Sequence, residues 1–134
     1  NVNNRSGWGN TPLHAATAQG NIKLIKLLLK KGAKIGAIDR LGRTALHWVA
    51  EKGFLNIAKF LIINGAFVHH KDNDGHTPLH EAAKWDQKKM IKLFLTHGAN
   101  VNSKGSDGRG PLHIAIANGN MDIANLLKKH GAEL

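Results

Sequence analysis

The chain has no cysteine and no tyrosine, only three prolines, and apolar runs no longer than stretches such as Phe60-Leu61-Ile62-Ile63. Without cysteine there is no disulfide framework, no thiolate metal site and no cysteine nucleophile, and a small secreted disulfide scaffold is excluded. A membrane-spanning helix needs about 18 or more consecutive apolar residues, so none is expected. No charged-then-apolar leader opens the sequence. Carboxylates are scarce as well: nine Asp and Glu face nineteen Lys and Arg, a formal net charge of +10 with neutral histidines. That balance favours acidic protein surfaces, nucleic acid or anionic membranes through long-range attraction, and says nothing about fold.

What is present is one domain's worth of material, 134 residues of which 42% are hydrophobic, organised by an internal period. Thr11-Pro12-Leu13-His14 lines up with Thr44-Ala45-Leu46-His47, Thr77-Pro78-Leu79-His80 and Gly110-Pro111-Leu112-His113 at steps of 33 residues. Gly9, Gly42, Gly75 and Gly108 keep the same phase. So do Gly20, Gly53, Asp86 and Gly119, and the Gly-Ala pairs that begin at Gly32, Gly65, Gly98 and Gly131.

Local chemistry defines the unit. Threonine followed by proline is an N-cap followed by the first helical position, where the missing N–H costs nothing, so first helices begin at Thr11, Thr44 and Thr77. The glycine about nine residues later suits a left-handed terminator. "NIKLIKLLLKKGA" then reads as a second helix with Ile22, Ile25, Leu28 and Leu29 on one face. Turn-rich pieces such as "AIDRLGR" and "HHKDNDGH" suit a projecting loop or β-hairpin, a finger. One such unit cannot bury its own apolar face, whereas four stacked units share a continuous core.

The Thr-Pro-Leu-His tetrapeptides, "HEAA", "LLLKKGA" and "THGANVN" together resemble ankyrin repeats over essentially the whole chain. The resemblance implies an all-α solenoid of helix-helix-hairpin units, with repeats at 6–38, 39–71, 72–104 and 105–134. Residues 1–5 would be the tail of a preceding repeat, because Asn1-Val2-Asn3 matches Asn100-Val101-Asn102, and the chain is expected to be one module of a longer protein. The last repeat is expected to cap the stack, since Lys128 replaces Leu29, Ile62 and Leu95 of the others. Gly110 replaces the capping threonine there, a loss of a few tenths of a kcal/mol.

The recurring histidines invite a metal reading and do not support one. Ligands on one zinc lie within roughly 4 Å of each other, whereas stacked helices sit about 8–10 Å apart. His14, His47, His80 and His113 therefore share no ion. In ankyrin repeats this histidine ties the start of the first helix to the adjoining finger. His76 lies outside its helix, so it forms no i, i+4 pair with His80, and His69, His70, Asp72, Asp74 and His76 read as polar finger residues. No metal, cofactor or catalytic arrangement is expected, and the chain reads as non-enzymatic.

Comparing repeats separates scaffold positions, which recur, from free ones. Trp8 is matched by Leu41, Asp74 and Asp107; Trp48 by Ala15, Glu81 and Ile114; Trp85 by Gln19, Lys52 and Asn118. Positions that accept charge elsewhere are not deep core, so the tryptophans are expected at a surface. In the family these slots are finger tips and the inner face of the first helices, on which partners lie, and Trp and Arg dominate interface energies. Trp8, Trp48 and Trp85 are the expected anchors. Arg40, Leu41, Arg43, Asn73, Asp74, His76, Lys84, Asp107 and Arg109 form the expected polar rim, with Glu81 facing outward among them. The alternative is that each indole packs sideways on a neighbouring repeat.

Lys23, Lys26, Lys59, Lys89 and Lys92 fall on second helices and form a basic convex flank, with no aromatics interleaved. The expected function is binding of another protein, acidic or mixed apolar and acidic, on the concave face. Two alternatives stay open: docking on an anionic membrane or nucleic acid through the lysines, and service as a targeting or regulatory domain of an enzyme or channel. The resemblance also implies an intracellular setting, cytoplasmic or nuclear, and makes Asn102 a possible site of asparagine hydroxylation. The competing role for Asn102 is to stabilise the turn into the finger.

Overall fold

The computed structural model describes residues 1–7 and 9–134, and among them it contains eight helices and no strand. They come in antiparallel pairs: α1 (Pro12–Ala18) with α2 (Ile22–Lys30), α3 (Ala45–Lys52) with α4 (Leu55–Ile63), α5 (Pro78–Lys84) with α6 (Lys88–Thr96), and α7 (Pro111–Ala117) with α8 (Met121–Lys129). Thr11, Thr44 and Thr77 hold extended backbone, and each accepts from the N–H of the histidine three residues on, while that histidine's Nδ1 accepts from the threonine N–H. Gly110 has no side chain, so the fourth cap keeps only its backbone N–H to Nδ1 of His113, at 3.2 Å. Gly53 closes α3 at φ +77°. Asp86, at φ +58°, does the equivalent work after α5, a conformation aspartate tolerates better than most residues.

The core repeats with the period. Leu13, Leu46, Leu79 and Leu112 form one buried column, Ile25, Ala58, Ile91 and Ala124 another, and Leu28, Leu61, Phe94 and Leu127 a third. Fully burying a leucine or isoleucine is worth about 1.5–3 kcal/mol, so every added unit gains from sharing these columns with its neighbours. First helices pack directly on one another, α1 on α3 on α5 on α7. Ala16, Ala50, Ala82, Ala83 and Ala115 keep that row narrow.

The fingers are tight turns and not paired strands. Asp39 N–H donates to the Arg43 carbonyl, Asp72 N–H to His76, and Gly105 N–H to Arg109, all at 2.9 Å. Each finger also bonds to the one before it: Asn73 N–H donates to the Leu41 carbonyl, and Ser106 N–H to that of Asp74. That approach needs glycine at the tip. A Cβ on Gly42 would lie 2.9 Å from the Asn73 nitrogen, at a backbone φ of +77°.

Candidate functional site

The fingers and first helices line a groove with two recesses. The first, of about 340 Å³, lies between the first two fingers and is walled by Asn10, Asp39, Arg40, Leu41, Arg43 and Trp48. Leu41 is 60% exposed at its rim. Trp48 is half-buried at its base, donating from Nε1 to Asp39 Oδ2 at 2.9 Å and tilting over His14 of the preceding unit at 5.2 Å between centroids. The indole therefore packs sideways on its neighbour while its free face walls the recess. Asp39 is buried, and its other oxygen accepts from the N–H groups of Leu41 and Arg43, so one carboxylate fixes both the turn and the tryptophan.

The second recess, of about 210 Å³, lies between the last two units and is lined by His76, Lys84, Asp107, Arg109, Ile114, Ala117 and Asn118. Lys84, Asp107 and Arg109 are exposed. Asp107 accepts from the Arg109 N–H, which holds its carboxyl below the usual carboxylate range. Asn118 donates to the Lys84 carbonyl and braces α7 against α5. Trp85 stands beside this recess, 46% exposed, with the Lys84 ammonium 5.4 Å from its ring centroid.

Between the recesses the groove is acidic and closed. Glu81, expected to face outward, is buried. It sits in the Trp48 slot one repeat later, where Arg43 Nη2 stands 3.7 Å from one of its oxygens and Trp85 Nε1 donates to the same oxygen at 3.3 Å. Arg43 also lies 3.8 Å from Glu51, so this rim residue serves an internal ion cluster. Its Nε and Nη2 are buried and make no hydrogen bond. Asp72, His76 and Glu81 bring a ligand atom each within 4.8 Å of one another. The Arg43 guanidinium already supplies positive charge at that spot.

Other expected rim residues serve the stack as well as the surface. Arg40 donates to the Gly7 carbonyl, and Asn73 Nδ2 to the Arg40 carbonyl at 3.0 Å. Asp74 is exposed and lends only its carbonyl to the next finger. His76 stacks on His80 at 5.0 Å, an association that needs no helical spacing. Trp8 lies outside the described residues. Asp39, Ile114 and Asn118 were not singled out from sequence; the last two sit in the same columns as Trp48 and Trp85, which was the available signal.

The capping histidines are structural. Nε2 of His14 lies 2.8 Å from the Arg43 carbonyl, that of His47 2.9 Å from the His76 carbonyl, and that of His80 3.3 Å from the Arg109 carbonyl. Burial pushes His47 and His80 down to about 4 and also lowers His14. Asn102 is likewise engaged: Nδ2 donates to the Gly131 carbonyl at 3.0 Å, and Oδ1 accepts from the Glu133 N–H at 2.8 Å. Asn3 repeats that pattern with Gly32 and Lys34.

Charge is divided between the two sides. Helices α2, α4, α6 and α8 carry nine lysines against one carboxylate, Asp122, so eight of the ten net positive charges ride on second helices. Lys23, Lys26, Lys59, Lys89 and Lys92 are all exposed there. The flank is not free of aromatics, since the Lys26 ammonium stands 5.4 Å from the Phe60 ring centroid.

Paired short helices stacked in phase, with fingers bonded one to the next beside a groove, define a helical repeat solenoid. A family model described as ankyrin repeats, built on three copies, matches residues 1–72 and again 62–134, and the chain belongs to the ankyrin repeat family. No curated protein matches it. Ankyrin repeats are generally protein–protein interaction modules, typically without enzymatic activity. Among the described residues no helix is long and apolar enough to cross a membrane.

Proposed function

We propose that the chain is an intracellular, non-enzymatic module that holds an extended segment of a partner protein in the groove between fingers and first helices. The observation that carries this reading is the pair of unlike recesses flanking the ion cluster of Arg43, Glu51 and Glu81. The Leu41 and Trp48 recess suits an apolar side chain. The Lys84, His76 and Arg109 recess suits a carboxylate, which Asp107 keeps from being a general anion trap. A partner of mixed apolar and acidic character fits both.

Units stack about 10 Å apart, so recesses two units apart are spanned by about six residues of extended chain. Trp48 and Trp85 act as anchors, with Arg40, Asn73 and Asp74 at the rim; Trp8 is added to them on the strength of the repeat comparison in the sequence alone. Most of the positive field lies on the opposite side, so selection of the partner rests on local contacts at the recesses.

The test compares proteins captured from a native lysate by the wild-type chain and by a variant carrying Trp8→Ala, Trp48→Ala and Trp85→Ala, each confirmed as folded by circular dichroism. Proteins retained by the wild type and lost by the variant are expected. Identical captures by both would sink the proposal.

A further inference from the structure

The second-helix side carries a feature that the groove leaves unused. Lys59 and Ile63 are four residues apart on α4 and so lie on one stripe of the helix. The 33-residue period places Lys26, Lys59 and Lys92 in one row, and Lys30, Ile63, Thr96 and Lys129 in the row one turn further on. Ile63 thus has Lys30 beside it in its own row and Lys26, Lys59 and Lys92 in the row before, yet it is 80% exposed. Phe67, just past the end of α4, is 63% exposed, and in the preceding repeat its slot is Lys34. Its ring meets His69 edge-on, at 5.1 Å between centroids. None of the lysines on these helices enters an ion pair among the described residues.

We propose that this side docks on an anionic lipid bilayer, with Ile63 and Phe67 entering the headgroup boundary and the lysines around them drawing in acidic lipids. Exposed apolar side chains set among lysines combine the two forces that hold peripheral proteins on membranes: apolar burial at the interface and attraction to anionic headgroups. Either alone is weak. Nucleic acid fits less well. Binding of single strands relies on aromatic faces open to bases, but here Phe60 lies under Lys26 and Phe67 turns toward His69, while aliphatic Ile63 offers a base or phosphate nothing. Docked in this way, the finger groove faces away from the lipid. The proposal is independent of what the groove binds.

The test is flotation of the whole chain with vesicles of phosphatidylcholine containing 30% phosphatidylserine, against pure phosphatidylcholine, at about 0.1 M salt, where the Debye length is about 10 Å. Binding only to the anionic vesicles is expected. It should fall at least about a hundredfold in a Lys26→Glu, Lys59→Glu, Lys92→Glu variant, and about tenfold in Ile63→Ser, Phe67→Ser. Because the chain has no cysteine, Ile63→Cys labels uniquely with an environment-sensitive fluorophore. Its emission should shift to the blue on anionic vesicles, and the same label at Arg40→Cys on a finger should not respond. Four results would overturn the proposal: no binding to anionic vesicles, equal binding to neutral ones, binding untouched by the Ile63 and Phe67 changes, or tighter binding to a DNA or RNA oligonucleotide than to anionic vesicles at the same salt.

Discussion

Nε2 of His47 lies 2.9 Å from the carbonyl oxygen of His76, so the imidazole that caps α3 also ties its unit to the next finger. The bond works with a neutral ring donating from Nε2 while Nδ1 accepts from the Thr44 N–H. Protonation would place a proton on Nδ1 and break the cap.

Stability should therefore fall in mild acid. Folded His47 and His80 titrate near 4, against about 6.5 when unfolded, so the unfolded chain takes up protons first. Their contribution is complete above about pH 6.5 and is lost as pH falls toward 4. At pH 5 each costs on the order of 2 kcal/mol. Urea denaturation at pH 7.5 and pH 5 measures this; equal midpoints would contradict it.

Gly110→Thr should stabilise the last unit. The Gly110 backbone, at φ −101° and ψ −179°, is close to that of Thr11, Thr44 and Thr77. An added Cβ meets only the Ser103 carbonyl oxygen, at an ordinary 3.4 Å. A gain of roughly 0.5 kcal/mol from the restored cap and the stiffer unfolded chain is expected in thermal melts.

Arg43 and Glu81 should be coupled. Arg43→Met leaves a buried carboxylate uncompensated and should cost about 1–3 kcal/mol, whereas Arg43→Met with Glu81→Met should recover most of that loss. A double-mutant cycle reads the difference directly. Additive losses would show that the cluster is only a set of neighbours.

Asn102→Ala removes two hydrogen bonds that fix the turn after α6 to the end of the chain. At about 0.5–1.5 kcal/mol per bond, a loss of about 1–2 kcal/mol is expected on denaturation. A negligible change would free Asn102 from its structural role and favour modification as its purpose.

The fold was legible because its determinants are local and repeated. Thr-Pro caps, positive-φ glycines and leucine columns each carry their meaning within a few residues, and the period copied them. Glu81 escapes the comparison because its ion-pair partner, Arg43, lies in another repeat, and a pairing between repeats leaves no mark in the 33-residue period. For Trp48, nothing in the sequence signals that Asp39 takes its indole N–H. Ile63 and Phe67 are hidden in the sequence for a different reason. "FLII" looks like core, but the column of Ile63 also holds Lys30, Thr96 and Lys129, and that of Phe67 holds Lys34, Asn100 and Glu133. The comparison that flagged the tryptophans applies equally to them.

The groove is tested most directly by selecting peptides from a random displayed library on the wild-type chain, then measuring each enriched peptide against a folded variant with Leu41→Glu, Trp48→Ala and Arg109→Glu. Enriched sequences should pair an apolar residue with an acidic one about six positions away, and should lose at least tenfold in affinity for the variant while still binding a Lys26→Glu, Lys59→Glu, Lys92→Glu chain. Peptides that bind the groove variant as well as the wild type, or that share no apolar and acidic pairing, would contradict the account.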